Sequence, residues 1–127
     1  MPLQPFFRFG PAGICRWIAS VEPVFGIDYV RFNELEIKDD KLTGGLISQA
    51  WGKICDGAEK RRMLLECCAT IGVSPKQAIA VGDGANDLLM MAEAGLSVAY
   101  HANPKVREQA MVAINEGGLD RLLEVLR

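Results

Sequence analysis

Asp83, Asn86 and Asp87 bring two carboxylates and one amide together in the run Ile79-Ala80-Val81-Gly82-Asp83-Gly84-Ala85-Asn86-Asp87-Leu88. All three are hard oxygen donors, a chemistry that suits Mg²⁺ and not a soft metal. A Mg²⁺ site commonly takes one or two protein carboxylates and leaves room for water and a phosphate oxygen. The same residue types also favour an Asx turn that caps a helix for purely local reasons. Spacing alone leaves these two readings evenly balanced. Lys60 is the second group of interest, because a lysine near the start of a predicted helix is either a solvated surface residue or an ammonium aimed into a cleft to neutralise phosphate. His101, the single histidine, follows a predicted strand, and no second histidine supports a metal or relay role for it. Met90 and Met91 read as core filling.

The elements that would position these groups can be read from periodicity. Residues 79–81 are too short for a helix and too apolar for a loop, which predicts a buried strand. Gly82 and Gly84 allow a sharp turn, and Asn86 or Asp87 can cap a helix through Leu88, Leu89, Met90 and Met91. The acidic turn then lies at the carboxyl end of a strand, where open α/β sheets bind ligands. Upstream, Met63, Leu64, Cys67 and Ile71 form one stripe of a helix beginning near Ala58, ended by Gly72 and followed by a turn at Ser74-Pro75. Downstream the chain alternates: strands at 78–81, 96–99 and 112–114, with helices at 87–94, 104–110 and 119–126. Strands alternating with helices imply right-handed crossovers and a parallel sheet with flanking helices.

The first part of the chain is less regular. Residues 1–13 contain three prolines, two glycines and three phenylalanines with no helical or strand period, which predicts an irregular or disordered arm. Ile14, Trp17, Ile18 and Val21 have the spacing of a short amphipathic helix ended by Pro23. Leu35-Glu36-Ile37, the turn Asp39-Asp40-Lys41 and Leu42-Thr43 read as a hairpin. The tract 44–54 reads as loop, with Trp51 an apolar body able to lie over a cleft. The expected organisation is therefore an arm at 1–13 and one α/β domain at 14–127.

Bulk properties narrow the function. With 127 residues, half of them hydrophobic, the chain can bury one real core. Fourteen basic against 16 acidic residues give a charge of −2, no field suited to nucleic acid or an anionic membrane. A small-molecule partner is the default. Cys15, Cys55, Cys67 and Cys68 form neither a CxxC pair nor a dense disulfide scaffold; Cys67 and Cys68 fall in a helical run, so one is expected to face the core and both to be reduced. No apolar run approaches the ~20 residues of a membrane span, and no leader pattern opens the sequence. The expected location is cytoplasmic. Other motifs fail: Asp87 takes the third glycine position of a dinucleotide fingerprint, Ala85 an EF-hand ligand position, and Ile54 the hydroxyl position of a P-loop.

From about Gly26 onward the chain resembles the C-terminal part of bacterial phosphoserine phosphatases of the haloacid dehalogenase superfamily. The resemblance rests on Asn33-Glu34-Leu35-Glu36-Ile37, Lys41-Leu42-Thr43-Gly44, Lys60, Val81 through Leu88, Ala94-Gly95-Leu96 and His101-Ala102-Asn103-Pro104-Lys105-Val106. It implies a partial Rossmann-like parallel sheet with flanking helices and a small β-hairpin flap at 35–43. It also implies a Mg²⁺-dependent phosphomonoester hydrolase acting on O-phospho-L-serine in serine biosynthesis. In that family an aspartate attacks phosphorus and the aspartyl-phosphate is hydrolysed, with Mg²⁺ between nucleophile and phosphate. By position Asp83 resembles the Mg²⁺ ligand and Asn86 the substrate or phosphate contact. Asp87 resembles the carboxylate that holds the metal's waters or Lys60, and Lys60 the lysine that neutralises nucleophile and phosphate.

The chain departs from the family pattern in its first part. No Asp-x-Asp-x-Thr/Ser turn occurs; Asp28, the earliest aspartate, belongs to the family's Gly-Leu-Asp-Tyr region. Pro11-Ala12-Gly13-Ile14 stand where the family's Ser-Gly-Gly-Phe binds phosphate. The expectation is a domain lacking the family's first strand and helical cap, with strand edges left unpaired, in which residues 1–15 represent a misread or frameshifted start. Two functions follow: a phosphatase whose nucleophile is supplied elsewhere, in a longer parent or by a complementing chain, or an inactive remnant that binds partners or copies of itself through those edges. A phosphoryl-accepting receiver domain lacks support, because no acceptor aspartate ends an early strand.

Overall fold

The computed structural model describes residues 7–9, 28–52 and 54–126. It divides into two compact units, Met1–Cys55 and Asp56–Arg127, a boundary the sequence does not mark.

In the first unit β1 (Phe7–Phe9) pairs in parallel with β2 (Tyr29–Arg31), Phe7 opposite Tyr29. This differs from the irregular arm expected at 1–13. Phe-Arg-Phe is a β-compatible alternation hidden among prolines and glycines, and a pairing partner 22 positions away decides its state. The helix expected from Ile14 to Val21 and the Pro11-Ala12-Gly13-Ile14 segment lie outside the described residues.

The hairpin consists of β3 (Leu35–Lys38) and β4 (Lys41–Leu46), antiparallel with Ile37 opposite Leu42. Its two-residue loop has φ 50° at Asp39 and 61° at Asp40, the double positive φ of a type I′ turn, whose twist matches that of the strands. Aspartate tolerates this conformation less well than glycine. Asp40→Gly is expected to raise stability by about 0.5–1 kcal/mol, the left-handed penalty less glycine's larger entropy loss, read from the urea midpoint. β4 continues through Gly44 and Gly45, which corrects the loop expected over that part of 44–54. A register shift between Leu35 and Ile37 accompanies these glycines, and Gly44 has φ 85°, so an irregularity absorbs residues of poor β propensity. Beyond the hairpin, Gln49 and Gly52 form a bridge. Arg31 places its guanidinium carbon 5.6 Å from the Trp51 ring centroid, a cation–π contact. Asn33 accepts from the Cys55 N–H at 2.6 Å and anchors the end of the unit.

The second unit opens with α1 (Gly57–Ile71). Asp56 caps it by accepting from the Glu59 N–H at 2.9 Å, and Gly72 closes it at φ 84°. The helix buries Met63, Leu64, Cys67 and Cys68 on one broad face, so both adjacent cysteines are inside where one was expected. Burial pushes the Cys68 thiol up from its ordinary value. Cys55, Cys67 and Cys68 are free thiols.

A parallel sheet follows in the order β5 (Ile79–Gly82), β6 (Leu96–Tyr100), β7 (Val112–Ile114). Its connections carry α2 (Leu88–Glu93) and α3 (Pro104–Gln109), and α4 (Leu122–Val125) closes the chain. Met63, Leu64, Val98 and Val106 are the largest fully buried side chains among the described residues, each contributing about 1.5–3 kcal/mol of transfer free energy. Among the described residues, β5 has a strand partner on one side only, and Ile79 is exposed. No helix among them is long and apolar enough to cross a membrane.

Candidate functional site

Strand β5 ends at Gly82, and the chain bends through Asp83 and Gly84 into a 3₁₀ turn at Ala85–Asp87 before α2 begins. Asp87 is the centre of this turn. It is buried, and its Oδ2 accepts from the N–H groups of Asp83 at 3.1 Å and Gly84 at 3.3 Å. Its Oδ1 accepts from the Lys60 ammonium at 2.8 Å. The expected capping of α2 by an Asn86 or Asp87 side chain does not occur, because the Asp87 carboxylate turns back onto the acidic turn instead. Of the two partners that the resemblance implies for Asp87, Lys60 is the one present.

Two glycines permit this geometry. A Cβ at Gly82 would lie 2.5 Å from the Asp87 Cβ, so the strand end must be bare for Asp87 to fold under it. A Cβ at Gly57, the first residue of α1, would lie 3.1 Å from the Asn86 carbonyl oxygen. Helix α1 thus approaches the turn closely, and its first turn delivers Lys60 from 27 positions upstream.

Asp83 is held by its backbone while its side chain is exposed. Its N–H goes to Asp87, and its carbonyl accepts from the Asn103 N–H at 3.3 Å, at the end of β6. Asn103 also caps α3 by accepting from the Val106 N–H. This contact was not anticipated, although Asn103-Pro104 is a helix-start signature that marks the residue. Asn86 is exposed beside Asp83. His101 lies at the same rim, its Nε2 2.7 Å from the Gly117 carbonyl oxygen.

The donor set fits a hard cation in part. Asp83 supplies one exposed carboxylate at a strand's carboxyl end, and the Asn86 amide oxygen is near it in sequence. Asp87 is already committed to an ammonium and two N–H groups. Among the described residues no three His, Cys, Asp or Glu side chains cluster. Such a turn can contribute one carboxylate to a Mg²⁺ ion that takes its other oxygens from outside the turn.

A model of the haloacid dehalogenase-like hydrolases matches residues 53–117, just over half of the chain. The chain belongs to the haloacid dehalogenase-like hydrolases. Within that family, a phosphoserine phosphatase of a Polaromonas species is 72% identical over 102 residues, which is 80% of this chain and 43% of the relative. One from Albidiferax ferrireducens is 61% identical over 115 residues, 91% of this chain and 48% of the relative. The chain therefore spans about half the length of the curated relatives it matches. Among solved structures, a probable phosphoserine phosphatase from Vibrio cholerae superposes with a TM-score of 0.78 at 38% identity, covering 92% of this chain and 34% of that one. A substrate-bound phosphoserine phosphatase gives 0.75 at 32% identity, covering 87% and 50%. The family's α/β architecture, with its parallel sheet and flanking helices, is the fold of this chain.

Proposed function

We propose that this chain carries the metal-side half of a Mg²⁺-dependent phosphomonoester hydrolase acting on O-phospho-L-serine. The observation that carries this reading is the Lys60–Asp87 pair, buried behind an acidic turn whose foremost carboxylate, Asp83, is exposed. Asp83 would hold Mg²⁺ with Asn86 beside it to contact the phosphate or substrate; when bound, the ion supplies charge neutralisation to the phosphoryl group. The chain's own residues do the rest of what this half can do. Asp87 fixes the Asp83 and Gly84 N–H groups, which sets where the Asp83 carboxylate stands. Lys60 balances the negative charge that the turn, a nucleophilic carboxylate and a phosphate would bring together.

The attacking aspartate is proposed to come from outside this chain, in a longer parent or from a complementing chain. No two aspartates here are separated by a single residue, so an Asp-x-Asp nucleophile turn is not among these residues. The high identity to the Polaromonas phosphatase makes a direct test available. A chimaera carrying the N-terminal part of that enzyme and residues 26–127 of this chain is expected to release phosphate from O-phosphoserine in a Mg²⁺-dependent manner. Asp83→Asn in the chimaera should lower kcat by roughly 10²-fold or more. Activity that survives Asp83→Asn unchanged rejects the site.

Among the described residues β5 has a strand partner on one side only and Ile79 is exposed, which favours a second reading, a non-catalytic domain that pairs through this edge. Concentration-dependent association of the chain, with no Mg²⁺-dependent activity in the chimaera, would select it.

A further inference from the structure

His101 takes no part in the bonds that Asp87 makes to Lys60, Asp83 and Gly84. Its backbone lies in the left-handed region at φ 44°, a conformation that a residue with a Cβ adopts at a cost and keeps where its surroundings over-determine it. Those surroundings are specific. The His101 N–H donates to the Ile114 carbonyl at 2.8 Å. The ring Nε2 lies 2.7 Å from the Gly117 carbonyl oxygen. A carbonyl oxygen only accepts, so Nε2 is the donor. The Tyr100 hydroxyl donates to the same oxygen at 3.3 Å, and the two rings meet edge to face with centroids 4.4 Å apart.

Two residues further on, the Asn103 N–H donates to the carbonyl of Asp83 at 3.3 Å. The 101–103 bend is thus a strut, pinned at one end to the Gly117 turn and at the other to the backbone of Asp83. If the ring released Gly117, the described contacts on the imidazole side would reduce to the edge of Tyr100, a weak restraint against relaxation of φ toward the extended region. That rotation would carry the Asn103 N–H away from Asp83.

We propose that His101 is a positioning residue for Asp83: its bond to Gly117 holds the strained bend from which Asn103 grips the Asp83 carbonyl. The link to function rests on the reading of Asp83 as the metal-side carboxylate; the strut itself does not.

The test uses the full chain and two substitutions. His101→Phe keeps a ring against Tyr100 and removes the donor, whereas His101→Gln returns an N–H at similar reach. Amide hydrogen exchange at Asn103, read by NMR, is expected to be about five- to tenfold faster in His101→Phe, the loss of one net hydrogen bond, and to return to within about twofold of the parent in His101→Gln. The Mg²⁺ titration midpoint at the Asp83 amide should rise about threefold in the Phe variant and recover in the Gln variant. Should His101→Phe fail to fold, His101→Ala, which also lacks the donor and keeps a Cβ in the left-handed region, is expected to show the same faster exchange. Unchanged Asn103 exchange in the variants lacking the donor overturns the proposal, as does equal perturbation by Phe and Gln. If the Asp83 amide of the parent does not respond to Mg²⁺, the metal reading fails, while the exchange comparison still decides the strut.

Discussion

Lys60→Met should destabilise the protein by about 3–5 kcal/mol in urea unfolding. The Lys60 and Asp87 side chains are only 10% and 9% exposed, and their charged atoms meet at 2.8 Å. Removing the ammonium leaves a carboxylate shielded from water with two peptide N–H groups as its remaining described donors. Those N–H groups stabilise the carboxylate but carry no net charge, so its negative charge stays unbalanced in a poorly solvated site. The double substitution Lys60→Met with Asp87→Asn should recover more than half of the loss. An asparagine oxygen can still accept from the Asp83 and Gly84 N–H groups, and the uncompensated charge is gone. A cost below about 1 kcal/mol for the single change, the range of a solvated surface pair, would contradict the burial of this pair.

Gly95→Ala is expected to be comparably severe for a different reason. A Cβ at this position would run into the carbonyl oxygen of Lys76 and lie 2.6 Å from its carbon. Both atoms are backbone, so no side chain can swing aside. The glycine is also tied in place, because its N–H donates to the Ala78 carbonyl at 3.0 Å and the next residue's N–H shares that oxygen at 3.2 Å. Overpacking of a core costs about 1–3 kcal/mol when side chains can adjust, and a backbone collision lies at or above the upper end. A fall in Tm of more than about 10 °C by circular dichroism is the expected result. A shift within about 2 °C would show that the link between β5 and β6 is not as closely packed as described.

Much of the second unit could be read from local pattern. Met63, Leu64, Cys67 and Ile71 announce α1 by their spacing, and Gly72 announces its end. The β5, β6 and β7 strands are apolar runs bounded by turn residues, so period and punctuation agree. The failures share one cause, which is information held at long range. Gly44 and Gly45 have poor strand propensity, yet the partner strand β3 recruits them. Phe7–Phe9 becomes β-structure through a partner at Tyr29–Arg31. At the acidic turn it was the family resemblance, and not local pattern, that offered Lys60 as a partner of Asp87. Residue types predicted either a metal turn or a helix cap, and both assign Asp87 a local role or a ligand. Its burial and its bond to Lys60 depend on how α1 packs beside α2, which no five-residue window contains. The contact from Asn103 to Asp83 is invisible for the same reason, since it joins the ends of two different strands.

The boundary after Cys55 has a consequence for inheritance. The bonds linking Lys60 to Asp87, Asp87 to the Asp83 and Gly84 amides, and Asn103 to Asp83 all lie on the C-terminal side of it. A recombination event or a proteolytic nick before Asp56 would part the hairpin from the acidic turn without cutting any of them. These contacts are therefore encoded together in one contiguous C-terminal stretch.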